Sequence, residues 1–292
     1  MASPLTPAAT FLATLGVRSR ARASSDTVTF ERPSGPPPMR TALGELGAAL
    51  DAARLVGALP RLASAPRGDG HLVVDIPGWK APELSGLPLR TYLRRQGYDA
   101  RGWGFGTNTG NPRRDVERLA ARVLELVEQK GSPASLVGWS LGGVIAREVA
   151  RLHPEAVRRV ITYGTPVGGP SYTTIARAYD RGPGAGGHRV ARRRDETDPI
   201  AVPLTVLFSR RDGIVSWQAC IDHSTPDAEH IEISSTHLGM GFDPDVWAIV
   251  AARLPHHHLA DPPQGWARRD TGAPQQFNPM TGHDATPPEA PA

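Results

Sequence analysis

One cysteine, Cys220, stands in 292 residues. No internal disulfide can form, and no multi-cysteine metal site can be built. No apolar run approaches the ~18 residues that a membrane-spanning helix needs. Aromatic residues are scarce, 6% of the chain, and they do not interleave with basic ones in a nucleic-acid recognition pattern. Arginines alternate with acids instead, as in RRDVERLAARVLELVEQK (113–130). The net charge of +4 therefore reads as solvated surface, and no nucleic-acid partner is expected. The adjacent histidines His256, His257 and His258 point apart on a helix tail, a poor set for a metal. No metal and no organic cofactor is called for. In the opening MASPLTPAATFLATLGVRSR the arginines follow a weak apolar patch, the reverse of a secretory signal, so the expectation is a cytoplasmic protein. Peripheral contact with a membrane stays open.

What is present is proline, glycine and short apolar runs. Residues 1–38 and 265–292 are rich in Pro, Ser, Thr and Gly without periodicity, and both segments are expected to be disordered. Residues 39–264 are the size of one α/β domain. Within them, HLVVDIPGW gives a buried strand (72–76) stopped by Pro77-Gly78. Helical periodicity follows at 87–95 and at 115–130, where the apolar positions are 116, 119, 120, 123, 126 and 127. Further strands fall at 134–137, 157–163, 204–208 and 231–234, with a helix at 144–152. A last helix opens at Asp243-Pro244. Leucines at 43, 46, 50, 55 and 59 suggest an amphipathic helix over 41–62 that packs on the domain edge. Strands with little alternation, separated by helices, predict a mostly parallel sheet covered on both faces.

The chemistry centres on Gly138-Trp139-Ser140-Leu141-Gly142. It follows an apolar strand directly and precedes a helix, the setting that a G-x-S-x-G elbow requires. So tight a turn has no room for side chains at 138 and 142, and it thrusts the Ser140 hydroxyl out over the sheet. A hydroxyl needs a base, and the base needs an orienting carboxylate. Asp212 lies just past the strand 204–208, and His237 just past the strand 231–234. Ser140, Asp212 and His237 would then share the carboxyl ends of the strands, where open α/β sheets bind ligands. Asp75, at a strand terminus, is the rival carboxylate. His153, His223 and His230 read as surface histidines, and Asp222 and Asp227 as loop acids. Backbone N–H groups for an oxyanion are expected at Leu141, on the helix start, and at Trp79, after the turn at Gly78.

At these residues the sequence resembles the α/β-hydrolase superfamily, and within it the bacterial lipase- and esterase-like branch. The matching phrases are VVDIPGWKAPELSGLPLRTYLRRQGYDARGWGFGTNTG, LVGWSLGGVIAREVARLHPEAVRRVITYGTP, LTVLFSRRDGIVSWQAC and SSTHLGMGFDPDVW. The resemblance implies an α/β-hydrolase fold with a Ser140–His237–Asp212 triad and donors at Trp79 and Leu141. Many relatives carry His-Gly before the oxyanion residue; here it is Pro77-Gly78. The loop Trp103-Gly104-Phe105-Gly106-Thr107-Asn108 also recurs in relatives, and Asn108 is expected to tie it down.

The expected reaction is cleavage of a carboxylic ester, small-molecule or lipid, through an acyl-serine. An acyltransferase or cofactor-free peroxidase-like activity on the same triad, or a catalytically silent binding protein, are the alternatives. A small cap at about 167–198, dominated by Gly and Arg after one helical piece (172–179), is expected to leave the site partly open.

Overall fold

In the computed structural model, residues 11–12, 32–181 and 198–255 are described. The chain divides into units 1–258 and 259–292, and every described residue belongs to the first. Most of the two ends expected to be disordered, much of the cap and His256 to His258 lie outside the described residues.

Among the described residues, six parallel strands form one sheet: β1 Leu72–Ile76, β2 Asp99–Gly102, β3 Ala134–Trp139, β4 Val157–Tyr163, β5 Leu204–Ser209 and β6 Glu229–Ile233. Their order is β2-β1-β3-β4-β5-β6. The direction of winding reverses between β1 and β3, and the loops leaving these two strands therefore flank a crevice. The helices are α1 Met39–Leu43, α2 Ala48–Leu62, α3 Leu87–Arg95, α4 Pro112–Lys130, α5 Leu141–Leu152, α6 Ala176–Asp180 and α7 Pro244–Arg253. This is the mostly parallel, helix-covered sheet of an α/β-hydrolase fold.

Neighbouring strand residues divide between two cores, as the pleat dictates. Val74, Leu136, Val160 and Val206 pack with α4 and α5 on one face. Val73, Val137, Ile161 and Leu207 pack with α2, α3 and α7 on the other. Among the described residues, no helix is long and apolar enough to cross a membrane.

Most predicted elements agree with the observed ones to within a few residues. β1, α3 and β4 have the predicted limits, and α7 starts at Pro244 with the Asp243 carboxylate accepting from the N–H groups of Asp245 and Val246. α4 begins earlier than its apolar stripe, at Pro112, because the Asn111 side chain caps it by accepting from the N–H of Arg114.

The segment 41–62 differs in kind. A 3-10 turn, Gly44–Gly47, divides it into α1 and α2, and the shift in phase turns the leucines outward. Leu43, Leu46, Leu50 and Leu59 are exposed, Leu46 to 87%, while Leu55 and Leu62 are buried. Polar contacts occupy the inner side. Asp51 accepts from the N–H and hydroxyl of Thr236 at 3.2 and 3.1 Å, and the Arg54 guanidinium reaches the Asp243 carboxylate at 3.2 Å. Backbone amides of a distant loop take precedence here over apolar burial.

Candidate active site

β3 ends at Trp139 and α5 starts at Leu141, so Ser140 alone makes the turn. It does so at φ 52° and ψ −121°, a backbone region that costs a residue with a Cβ on the order of 1–3 kcal/mol and persists only where the surroundings enforce it. The enforcement is visible in the adjoining glycines. A Cβ on Gly138 would lie 2.5 Å from the Gly143 Cα, and one on Gly142 would lie 2.2 Å from the Ile76 carbonyl oxygen. One on Gly143 would meet the Thr165 hydroxyl. β1, the elbow and the start of α5 are in backbone-to-backbone contact. Gly142→Ala should therefore destabilise the fold by roughly 3 kcal/mol, since a carbonyl rather than a flexible side chain must give way. Thermal unfolding followed by circular dichroism checks this, and a midpoint unchanged from wild type would contradict the packing described.

The loop after β1 lies directly beside the serine. A Cβ on Gly78 would be 3.2 Å from the Ser140 Cβ. Asn108 holds this loop from three sides. Its side-chain amide donates to the Pro77 carbonyl at 2.8 Å, its own N–H donates to the Ala81 carbonyl at 3.0 Å, and its carbonyl accepts from Lys80 at 2.7 Å. Asn108 is fully buried; the expectation is that it ties down its own loop, and its bonds join that loop to the one after β1. Lys80 takes a positive φ of 57° at this point. The Trp79 ring packs edge-on against Tyr179 at 5.1 Å, and a Cβ on Gly110 would collide with its indole nitrogen. Leu141, as the first residue of α5, has an N–H without an intrahelical acceptor. Trp79 and Leu141, the expected oxyanion donors, thus belong to two segments that meet at Gly142.

Asp212 and His237 arrive from the loops after β5 and β6. The Asp212 Oδ2 lies 2.7 Å from the His237 Nδ1, and its Oδ1 accepts from the N–H groups of Ile214 and Val215 at 2.8 and 2.7 Å. Both side chains are buried. The His237 ring sits 5.6 Å from the Trp139 ring, centroid to centroid. Gly164, at φ 58°, leaves the ring space; a Cβ there would be 2.9 Å from the His237 Nδ1. Burial pulls the imidazolium pKa down, but the Asp212 carboxylate outweighs it by charge and hydrogen bond. With a further contribution from the charge of Glu45, the pKa is held above the ordinary histidine value.

The rival carboxylate, Asp75, is committed elsewhere: it accepts from the Arg90 guanidinium at 2.8 Å, and burial lifts its pKa to about 6. Asp222 is no simple loop acid. It is buried against Arg147 at 2.6 Å, and His230 accepts the Asp222 N–H at 3.0 Å instead of lying free on the surface. A second Ser–His–Asp row exists, with the Ser135 hydroxyl 3.0 Å from the His71 Nε2 and the His71 Nδ1 2.5 Å from Asp69. It sits at the opposite edge of the sheet, and Ser135 is fully buried within β3. The burial of Ser135 leaves no room for a substrate, and we read this row as structural. Among the described residues, no group of three His, Cys, Asp or Glu side chains is placed to hold a metal ion.

Sequence reasoning missed Glu45. Its Oε1 accepts from the N–H of Gly213 at 2.7 Å and of His237 at 2.9 Å, and its Oε2 accepts from Leu238 at 2.9 Å. The described part of the cap is also stitched to the acid loop. Thr173 and Val215 form an antiparallel bridge, the Thr174 N–H donates to the Ile214 carbonyl at 2.9 Å, and that of Ser216 donates to the Tyr172 carbonyl at 3.0 Å.

Residues 96–183 match the family model described as alpha/beta hydrolase fold. Among curated proteins, a pimeloyl-[acyl-carrier protein] methyl ester esterase of Klebsiella pneumoniae (strain 342) is 42% identical over 59 residues, 20% of this chain and 22% of that protein. Another, from Klebsiella pneumoniae subsp. pneumoniae, is 41% identical over 104 residues, 32% of this chain and 36% of that protein. The matches thus span only about a fifth to a third of these relatives' lengths. Among solved structures, lipase BlEst2 of Bacillus licheniformis in its mature form superposes with a TM-score of 0.50 at 18% identity, over 63% of this chain and 91% of that one. Its propeptide form gives 0.51 at 19%, over 71% and 53%. At such identity the likeness is one of fold.

Proposed function

From an α/β-hydrolase fold and a match to that family's model over residues 96–183, we propose that the chain is a serine hydrolase that cleaves carboxylic esters through an acyl-serine intermediate. The observation that carries the reading is the buried Asp212–His237 pair, 2.7 Å apart, whose imidazole lies 5.6 Å, centroid to centroid, from the ring of Trp139, the residue before a serine at positive φ. His237 takes the Ser140 proton through its Nε2 as the hydroxyl oxygen attacks the ester carbonyl. Asp212 holds the other ring nitrogen protonated and balances the imidazolium. The N–H groups of Trp79 and Leu141 donate hydrogen bonds to the carbonyl oxygen as negative charge develops on it, each contributing on the order of 100-fold in rate. Collapse of the tetrahedral species expels the alcohol, which takes the proton from His237. Water then attacks the acyl-serine by the same route and releases the acid.

The curated relatives are methyl ester esterases, which makes methyl esters of acyl chains the first substrate class to try. The test uses p-nitrophenyl and methyl esters of graded acyl length, together with a fluorophosphonate that phosphonylates activated serines. Mass spectrometry should find the adduct on the peptide that bears Ser140. A chain that turns over none of these esters and takes no fluorophosphonate would overturn the reading.

The electrostatics add a pH prediction. Only neutral His237 accepts a proton, so kcat/KM falls as the pH drops through its pKa in the free enzyme. With that pKa held up by Asp212 and Glu45, the acid limb should lie above the ordinary histidine value. A pH–rate profile flat down to pH 5 would contradict the assignment.

A further inference from the structure

Strands β5 and β6 lead into two separate loops, which carry Asp212 and His237, and loops are the most mobile parts of a fold. Both are spanned by one side chain from the other end of the sequence. Glu45 lies in the 3-10 turn Gly44–Gly47, and its carboxylate accepts from Gly213, next to Asp212, and from His237 and Leu238. Gly213 is where α1 touches the acid loop: a Cβ there would lie 2.4 Å from the Thr41 carbonyl oxygen. Asp51 adds a second grip on the histidine loop through Thr236.

We propose that Glu45 is a positioning residue for the proposed Ser140–His237–Asp212 set, its carboxylate fixing the separation of the acid and histidine loops by accepting backbone N–H bonds from both. The inference rests on the serine-hydrolase reading and adds to it. A carboxylate suits the place. Three N–H donors converge on two oxygens, and bonds to an ionised acceptor are roughly twice as strong as neutral ones. The two oxygens also divide the work, Oε1 joining the loops to each other and Oε2 holding the residue after the histidine. Glu45 touches no reacting atom. Its effect passes through the placing of Asp212 and His237, and through a negative charge near the imidazole. Among the described residues, the charged groups that act on His237 are Asp212 from the loop after β5 and Glu45 from the turn before α2.

Two variants test this. Glu45→Ala removes all three acceptors. Glu45→Gln keeps the shape and one carbonyl oxygen, but removes the charge and turns an NH2 group toward one set of donors. A displacement of about 1 Å in a catalytic group can cost about 100-fold in rate. Glu45→Ala should thus lower kcat by roughly 30- to 100-fold and Glu45→Gln by roughly 5- to 10-fold, with KM within about twofold. In Glu45→Gln the acid limb of kcat/KM should also move to lower pH, a change that simple loss of stability does not produce. If Glu45→Ala fails to fold by circular dichroism, Glu45→Gln decides. A Gln variant with wild-type kcat and an unmoved acid limb overturns the proposal. NMR titration of the His237 ring in wild type and Glu45→Gln gives a readout that needs no turnover. If the wild type cleaves no ester, the hydrolase reading fails, yet the ring should still titrate at lower pH in the variant. An unmoved titration overturns the Glu45 assignment on its own.

Discussion

Replacing Ser140 with alanine should reduce ester turnover by about 10⁴-fold or more, leaving only the residual rate that oxyanion donors and substrate binding sustain without a nucleophile. The fold should survive almost untouched. The Ser140 N–H donates to the Tyr163 carbonyl at 2.9 Å, and alanine keeps that bond. Alanine also keeps the Cβ, so the strain at φ 52° is neither relieved nor increased. Loss of activity with an unchanged melting temperature therefore isolates the hydroxyl as the cause. Ser140→Gly separates the two properties of the position. It should be equally inactive yet more stable by about 1 kcal/mol, because glycine occupies this backbone region without penalty. The measurements are single-turnover and steady-state assays beside thermal unfolding. An alanine variant that retains the wild-type rate would remove Ser140 from the mechanism.

Much of this arrangement is readable in the sequence, and the parts that are not have identifiable causes. β1 and α3 end where expected because Pro77-Gly78 and Gly97 interrupt the chain within a residue or two of their ends. Ser140, Asp212 and His237 stand out in the sequence as candidates because each follows an apolar strand, and in a parallel sheet that position alone fixes which edge a residue occupies. The sequence predicts the start of α5 at Val144 rather than Leu141 because two glycines there lower helix propensity. In the fold they are required by the contacts at Ile76 and Thr165, which override propensity. Glu45 had no local signal at all. Its partners are backbone amides at 213, 237 and 238, and backbone amides carry no side-chain signature in a sequence. The same holds for Arg147 and Asp222: either residue alone looks like surface charge, and only their pairing across 75 positions buries both. The leucine stripe over 41–62 misled for the converse reason. Periodicity marks an apolar face, but not whether the molecule or the solvent receives it.

Asp212→Asn should be nearly as damaging as loss of the serine, about 10⁴-fold in kcat, although the substituted atoms are almost isosteric. The hydrogen bonds around the carboxylate explain why. Its Oδ1 is held by the N–H groups of Ile214 and Val215, which can only donate, so an asparagine there must place its carbonyl oxygen at Oδ1 and its NH2 at Oδ2. That NH2 then faces the His237 Nδ1, 2.7 Å away in the wild type, and can only donate to it. The ring must carry its proton on Nε2, the nitrogen that should receive the proton of Ser140, and the base is blocked by its tautomer. The charge that offsets burial of the imidazolium is lost as well, so the His237 pKa should fall below that of the wild type. Inactivity would accordingly persist across the pH range in which His237 is neutral, which separates a wrong tautomer from a merely shifted titration. The backbone bonds to Oδ1 remain, so the variant should fold and melt close to the wild type. Nitrogen-15 NMR of the His237 ring distinguishes the two tautomers directly. An asparagine variant whose ring keeps its proton on Nδ1, or whose kcat stays within tenfold of the wild type, would show that Asp212 does not orient the base.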